Sequence, residues 1–339
     1  MRALCVERPG VARVVERPRP EPGPGEVLLA IDCVGLCGTD LSTFAGKNPL
    51  VTYPRVIGHE LAGRVVARGD GVGAEWDDLA VAVSPYKACG SCAACRLRRP
   101  NACRNNQTLG VQREGGLAEF AAVPVERLHA SRRLTSEQLA LVEPFSIGMH
   151  AVNRARVTPD DTVVVIGCGG VGAGAIAAAS ERGAYVIGLD LDARKLALAR
   201  AFGAREGVDA TRSDAGDQIR ALTGGEGPSV VIEAVGSVAT YRQALDIVAA
   251  CGRIACLGWL KGDVPLEGRQ IVAKEVEILG SRNAMGEFPA VIAMFESGRV
   301  DPRRLVTHRV PLAEAPPMFE AWMADPAGTG KVLVTLQGR

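Results

Sequence analysis

The chain has 339 residues, of which 47% are hydrophobic and 23% charged, with a formal net charge of +1. That length suits two domains, or three, and the balance belongs to a folded globular chain rather than a disordered one. Near-neutral charge excludes the global basic field that draws a protein to nucleic acid or to an anionic membrane.

Residues Met1 to Pro9 meet charge too early for a secretory apolar core, and the reading is of a cytoplasmic protein. The run Pro18-Arg19-Pro20-Glu21-Pro22-Gly23-Pro24-Gly25-Glu26 cannot be helix, because its prolines lack donors and fix φ, so it reads as a rigid turn entering a strand. Val27 to Ile31 and Leu61 to Ala67 are short apolar runs bounded by Gly and Pro, and residues 1–145 read as mostly β. Within them, Cys37-Gly38-Thr39-Asp40 stands twenty-one residues before Gly58-His59-Glu60. One thiolate, one imidazole and one or two carboxylates can hold a zinc with an open position. Spacing alone leaves His59 open to a structural role as well.

Cys89, Cys92, Cys95 and Cys103 lie within fifteen residues. The spacing suits four sulfurs on tetrahedral Zn²⁺, which closes the coordination sphere and makes the metal structural, pinning a lobe at about residues 86–106. A bacterial iron–sulfur run has a last gap of about three residues followed by Pro. Here that gap is seven, and Arg104 follows.

The pattern changes near residue 160. Val163 to Ile166 is a continuous β-branched run of the kind buried on both faces. It is followed by a helix over Val171 to Arg182, a strand over Tyr185 to Leu189, a helix over Asp192 to Phe202, a strand over Val230 to Ile232, a helix over Ala239 to Ala250, and strands over Arg253 to Leu257 and Val276 to Leu279. Strands alternating with helices of this length mean βαβ units and a parallel sheet. The uncharged stretch Thr162 to Ser180 has the length of a membrane span, but its five glycines fit a strand and turn better. Beyond residue 284 a helix runs from Phe288 to Ser297, another lies around Pro317 to Met323, and a last strand spans Val332 to Val334.

Gly167-Cys168-Gly169-Gly170-Val171-Gly172 follows a buried-type strand and opens a helix, with Asp190 ending the next strand eighteen residues on. This is the dinucleotide fingerprint in its required context. Gly167 permits the tight turn, Gly169 lets a pyrophosphate approach the backbone, and Gly172 lets helix and strand pack closely. Gly170 and Val171 supply N–H groups at the helix start, where an anion is favoured. Asp190 would accept from a ribose 2′-hydroxyl and repel a 2′-phosphate, which favours NAD over NADP; Arg194 and Lys195 lie close enough in sequence to temper that preference. Val235, in Glu233-Ala234-Val235-Gly236-Ser237, and Gly258, just beyond Arg253 to Leu257, follow strands and are expected near the nicotinamide.

The stretch Gly58-His59-Glu60-Leu61-Ala62-Gly63, with Gly69 and Val72, resembles the signature of the zinc-containing alcohol dehydrogenases of the medium-chain dehydrogenase/reductase superfamily. The Pro-rich entry, the cysteine lobe and the dinucleotide fingerprint fall in that family's order, over essentially the whole chain. The resemblance implies an α/β protein: a GroES-like β-barrel catalytic domain over residues 1–145, a Rossmann doubly wound NAD-binding domain over 146–284, and a return of 285–339 to the catalytic domain, with the active site in the cleft between. It implies two zincs per chain. Cys37, His59 and Glu60 match the catalytic zinc positions. Glu143, in Glu143-Pro144-Phe145-Ser146, stands where ethanol-type enzymes have cysteine and the sorbitol branch has Glu-Pro-Leu-Ser; it ligates directly or through water. Many polyol and threonine enzymes carry a histidine where this chain has Ser42, so the proton relay is expected to run through Thr39, ribose hydroxyls and water. Phe44 is a candidate pocket wall and equally a candidate core residue, and Arg282 aligns with an arginine near the substrate, where it could pair with a substrate carboxylate or with Glu143.

The implied reaction oxidises a secondary alcohol of a polyol, sugar or sugar acid to a ketone by hydride transfer to NAD, in a homo-tetramer or homo-dimer without nucleic-acid or membrane partners. A threonine-type amino-alcohol dehydrogenase is the alternative substrate reading. A zinc-ribbon binding module is opposed by the neutral net charge, and a zinc-free reductase by the complete Cys37/His59/Glu60 set.

Overall fold

The computed structural model describes residues 1–260 and 262–336. The chain divides into two compact units: Met1–Glu143 together with the chain from Phe288 onward, and Pro144–Glu287.

The first unit is built around one long strand, Glu26–Leu36, which pairs antiparallel with Glu60–Arg68, with Phe120–Pro124 and with the C-terminal strand Lys331–Thr335. These belong to a seven-stranded sheet that continues through Ala80–Val83 to Leu128–Ala130 on one side and to Val306–Pro311 on the other. The last pairing, Val306–Pro311 with Lys331–Thr335, is parallel. A smaller sheet joins Arg2–Arg8 to Val11–Glu16 and Arg55–Val56. The core beneath holds Leu29, Ile31, Leu36, Ile57, Leu61 and Phe319, all essentially without exposure. Register positions the chemistry. Gly35 stands opposite Glu60, and Val332, the residue after Lys331, stands opposite Leu36.

The second unit is a six-stranded parallel sheet in the order Glu206–Asp209, Tyr185–Asp190, Thr162–Ile166, Val230–Glu233, Arg253–Cys256, Glu277–Gly280. In chain order this is 3-2-1-4-5-6, the doubly wound dinucleotide arrangement. The central strands bury Val164, Ile166, Ile187, Leu189 and Val231 on one face of the sheet and Val163, Val165, Val186 and Ile232 on the other, which is why they read as unbroken apolar runs.

The differences from the sequence reading have physical causes. The strand Glu206–Asp209 has no apolar pattern, and only Val208 is buried, so no periodicity marks it. The helix expected to reach Ala250 is Val238–Ile247 and stops there. Val248 turns extended, and the Ala249 amide donates to the Pro228 carbonyl instead. Cys251, between that helix and the next strand, is exposed in a left-handed turn with φ of 57°. The uncharged stretch from Thr162 resolves into the strand Thr162–Ile166 and the helix Gly170–Glu181. Among the described residues, no helix is long and apolar enough to cross a membrane.

Candidate active site

In the first unit, Cys37 ends the run of Glu26–Leu36 and caps the helix Gly38–Phe44 in extended conformation. Its amide donates to Asp40 Oδ2 at 2.9 Å, and the Gly58 amide donates to Asp40 Oδ1 at 3.3 Å. One buried carboxylate thus ties together the two segments that carry Cys37 and His59. The ligand atoms of Cys37, His59 and Glu60 all lie within 4.8 Å of one another. Donors about 2.0–2.3 Å from a tetrahedral zinc lie about 3.3–3.8 Å apart, so one ion fits with small adjustments.

The polar surroundings test that fit. His59 is 5% exposed, and its buried Nδ1 has no hydrogen-bond partner; Asp40 Oδ1 waits 3.8 Å away. A histidine that ligates through one nitrogen turns the other toward a carboxylate in this way. Burial alone would lower the His59 pKa, but Asp40, Cys37 and Glu143 overcome it and hold the imidazole well above its ordinary range. Burial pushes Asp40 up, against the opposing pull of His59 and the two amides.

The carboxylates Glu60 and Glu143 are partnered differently. Lys331 Nζ donates to both Glu60 oxygens at 2.6 Å and to the Leu36 carbonyl at 3.1 Å, all buried. Gly35 makes room for this pair, since a Cβ there would lie 2.1 Å from Glu60 Oε2. Glu143 opens the helix Val142–Arg154 and is 6% exposed. The Tyr86 hydroxyl donates to Glu143 Oε1. Burial pushes Glu143 up to about 6, with His59 opposing and Glu60 adding to the rise. Burial and then the Glu143 charge hold the Tyr86 phenol well above its usual range, so it remains a donor. Glu143 is not among the three residues whose ligand atoms meet within 4.8 Å.

Thr39 Oγ1 lies 3.8 Å from the Cys37 sulfur. Ser42 is half-buried on the same helix, and no hydrogen bond among the described residues joins its side chain to the cluster. Phe44, a candidate for pocket wall or core, is 3% exposed and stacks on Phe319 with ring centroids 4.9 Å apart. Its ring belongs to the hydrophobic core, and packing accounts for it.

The cysteine lobe brings four sulfurs together: Cys92 to Cys95 at 3.5 Å, Cys89 to Cys103 at 3.5 Å and Cys92 to Cys103 at 3.8 Å. With Zn–S bonds of about 2.3 Å, a tetrahedron of sulfurs has edges of about 3.8 Å. The donor set fits zinc with no open position. Backbone amides of Ser91 and Cys92 hold Cys89 down to about 5, which favours the ligating thiolate.

In the second unit, Gly167 turns with φ of 89° and Gly169 caps the helix Gly170–Glu181. A Cβ on Gly172 would lie 1.8 Å from the Gly167 carbonyl oxygen, whereas one on Gly169 would meet nothing within 4 Å. Close packing explains the first glycine; the second borders open space at a helix N-terminus, where a phosphate is favoured. Asp190 Oδ2 accepts from the Cys168 amide at 2.8 Å and Oδ1 from the Asp192 amide at 3.0 Å, which fixes the carboxylate beside the glycine turn. Arg194 forks onto Asp192, with contacts of 3.2 and 3.0 Å. Lys195 is half-buried on the helix Ala193–Ala201, close enough for its charge to reach the Cys168 thiol. Val235 is 51% exposed past the end of Val230–Glu233. Gly258 sits so close to Gly236 that a Cβ would lie 2.1 Å from its nitrogen. The Arg282 guanidinium lies 5.5 Å from the centroid of the exposed Trp259 ring.

Sequence reasoning counted Asp40 only as a possible metal carboxylate and passed over Tyr86, Lys331 and Gly35 as working parts. Asp40 carried a local signal, since an acid three residues after a helix cap satisfies the first amides. The other three act through strand register, which no short motif records.

Comparison with known proteins identifies the two domains. Residues 23–133 match the alcohol dehydrogenase GroES-like domain, and residues 170–297 match the zinc-binding dehydrogenase domain. The chain is 34% identical to the L-galactonate-5-dehydrogenase of Escherichia coli K12 over 322 residues, 94% of each chain. It superposes on an alcohol dehydrogenase of Escherichia coli CFT073 solved with NADH, with a TM-score of 0.92 at 29% identity and 99% of each chain covered. It superposes equally fully on a zinc-binding dehydrogenase of Sinorhizobium meliloti 1021 bound to NADP, with a TM-score of 0.90 at 31% identity. The chain therefore belongs to the zinc-binding alcohol dehydrogenase family, an oxidoreductase of the medium-chain type with a GroES-like domain and a Rossmann-like domain.

Proposed function

We propose that this enzyme oxidises a secondary alcohol of a polyol, sugar or sugar acid to a ketone, passing the hydride to NAD. The observation that carries the reading is the Cys37, His59 and Glu60 cluster, backed by Asp40 and flanked by the Thr39 hydroxyl. Zinc bound there supplies Lewis acidity, an effect that lowers the pKa of a bound water from about 15.7 to about 7. Cys37 and His59 hold the metal, with Glu60 or Glu143 as the carboxylate donor. Asp40 orients His59 and keeps the tautomer that ligates. Thr39 accepts the proton of the substrate hydroxyl and passes it toward the ribose and water, since Ser42 offers no ring nitrogen for a relay.

In the second unit, Gly169 to Gly172 receive the pyrophosphate and Asp190 accepts from the ribose 2′-hydroxyl. Val235 and Gly258 follow the C-terminal ends of their strands, where an open α/β sheet binds its ligand, and they flank the nicotinamide. The carboxylate at Asp190 and the engagement of Arg194 with Asp192 support NAD over NADP, and the L-galactonate relative supports a sugar acid. Arg282 is the candidate partner for a substrate carboxylate.

The test is Cys37→Ser with metal analysis and a panel of polyols, aldonates and amino-alcohols. Zinc should fall from two per chain to one, and NAD reduction should disappear. NAD-linked oxidation at the parental rate would remove the zinc mechanism.

A further inference from the structure

We propose that Tyr86 is a positioning residue: its phenol, carried on the strand that opens the four-cysteine lobe, aims the Glu143 carboxylate at the metal held by Cys37 and His59. This inference rests on the zinc reading above and assigns it one more working part.

The placement begins with the backbone. Tyr86–Lys87 is a two-residue strand that, among the described residues, pairs with Gln107–Thr108 alone, Tyr86 opposite Thr108. Such a short ladder has little stability of its own. It is framed by the lobe: Cys89 follows two residues after Lys87, Cys103 lies four residues before Gln107, and the Leu109 amide donates to the Pro85 carbonyl at 3.1 Å. A metal on the four sulfurs clamps both strands of this ladder at one end. The lobe's position is thereby passed to the Tyr86 ring, which is 8% exposed.

The ring ends on Glu143. Its hydroxyl donates to Glu143 Oε1, and both groups are buried. A carboxylate at the start of a helix has several rotamers within reach; a fixed donor on one oxygen selects among them and sets where the other oxygen points. Glu143 Oε1 can keep the phenol's hydrogen bond while the carboxylate turns to the metal. Tyr86 thereby sets which way Glu143 faces the centre, and the cysteine lobe acts on that centre through its phenol.

The experiment compares wild type with Tyr86→Phe as full-length, zinc-loaded enzymes. Chelator competition reads zinc retention, and cobalt placed in the catalytic site reads ligand geometry through its d–d bands. Tyr86→Phe should keep its lobe zinc and its melting temperature, lose the catalytic zinc about 10- to 100-fold more readily, and show shifted cobalt bands. Cys103→Ser, which empties the lobe, should shift the cobalt bands in the same direction. Wild-type retention and unshifted bands in Tyr86→Phe, in an enzyme whose wild type holds two zincs and reduces NAD, overturn the role of Tyr86 and leave the function intact. A wild type that holds one zinc, or reduces no NAD, overturns the function itself. If Tyr86→Phe does not fold, 3-fluorotyrosine placed at position 86 of the wild type replaces it. Its fluorine resonance should move when the catalytic metal is withdrawn, and a resonance that stays put rejects the proposal.

Discussion

Replacing Lys331 with Met isolates the buried ion pair beside the catalytic cluster. The Lys331 ammonium is 8% exposed and Glu60 1% exposed, and the ammonium donates three hydrogen bonds, two to Glu60 and one to the Leu36 carbonyl. Met fills nearly the same volume but leaves the Glu60 carboxylate buried without its cation and the Leu36 oxygen without its donor. Removing one partner of a buried pair costs about 3–5 kcal/mol. In a body of this size about 1 kcal/mol moves the melting point by about 2–4 °C, so the form lacking the catalytic metal should lose about 6–20 °C. Zinc changes the outcome, because a dication within reach of Cys37, His59 and Glu60 compensates the stranded carboxylate. The zinc-loaded variant should therefore lose less than half as much, and the stabilisation produced by zinc should be larger in Lys331→Met than in wild type. Differential scanning calorimetry of both proteins, with and without the catalytic metal, measures all four values. The double variant Lys331→Met with Glu60→Gln removes the stranded charge and should recover most of the loss. Equal losses with and without zinc, or a metal-free variant melting within about 2 °C of wild type, would refute the reasoning.

Three further outcomes follow from the geometry. Gly169→Ala should melt like wild type, since its Cβ meets nothing within 4 Å, yet bind NAD at least about 10-fold more weakly; Gly172→Ala, whose Cβ lies 1.8 Å from a carbonyl oxygen, should lose stability first, and calorimetry with cofactor titration separates the two. Asp190→Ala should weaken NAD binding about 10-fold or more and NADP binding less, measured by fluorescence titration; an unchanged NAD-to-NADP ratio removes Asp190 from the ribose site. Zinc uptake by the metal-free catalytic site should strengthen as pH rises, because His59 is held protonated well above its ordinary range by Asp40 and Cys37 against its burial, and only neutral imidazole ligates; an affinity that is flat between about pH 6 and about pH 8 contradicts this.

Much of this site is legible in one dimension because its ligands come in short runs. Cys37 with Thr39, His59 with Glu60, and the four lobe cysteines each sit on one turn or one loop, so spacing along the chain is nearly spacing in space. The glycine fingerprint is local for the same reason. Lys331 is invisible in this way: it reaches Glu60 across 271 residues, through the register of the last strand on the longest one. Gly35 looks like any glycine in a strand until Glu60 is placed opposite it. Phe44 reads in one dimension as pocket wall or core equally, and the helix that carries it decides the matter by turning the ring inward onto Phe319. The strand Glu206–Asp209 is held by its neighbour Tyr185–Asp190 rather than by a pattern of its own.

The charges of the first unit's site explain why Asp40, His59 and Glu143 all hold their protons more tightly than usual. Cys37, Asp40, Glu60 and Glu143 are each anionic when ionised, and Lys331 is the buried ammonium set against them. A low-dielectric pocket cannot hold that excess of negative charge without a cation. In the metal-free chain protons serve instead: Asp40 and Glu143 are pushed up by burial, and His59 is held charged by the acids around it despite its burial. A dication entering the cluster does the same electrostatic work, so it must displace those protons, and metal binding and proton release become one event. The same balance shows in the partners of the two glutamates: Glu60 gives both oxygens to the Lys331 ammonium, while Glu143 takes the Tyr86 phenol on Oε1 and feels the charges of His59 and Lys331.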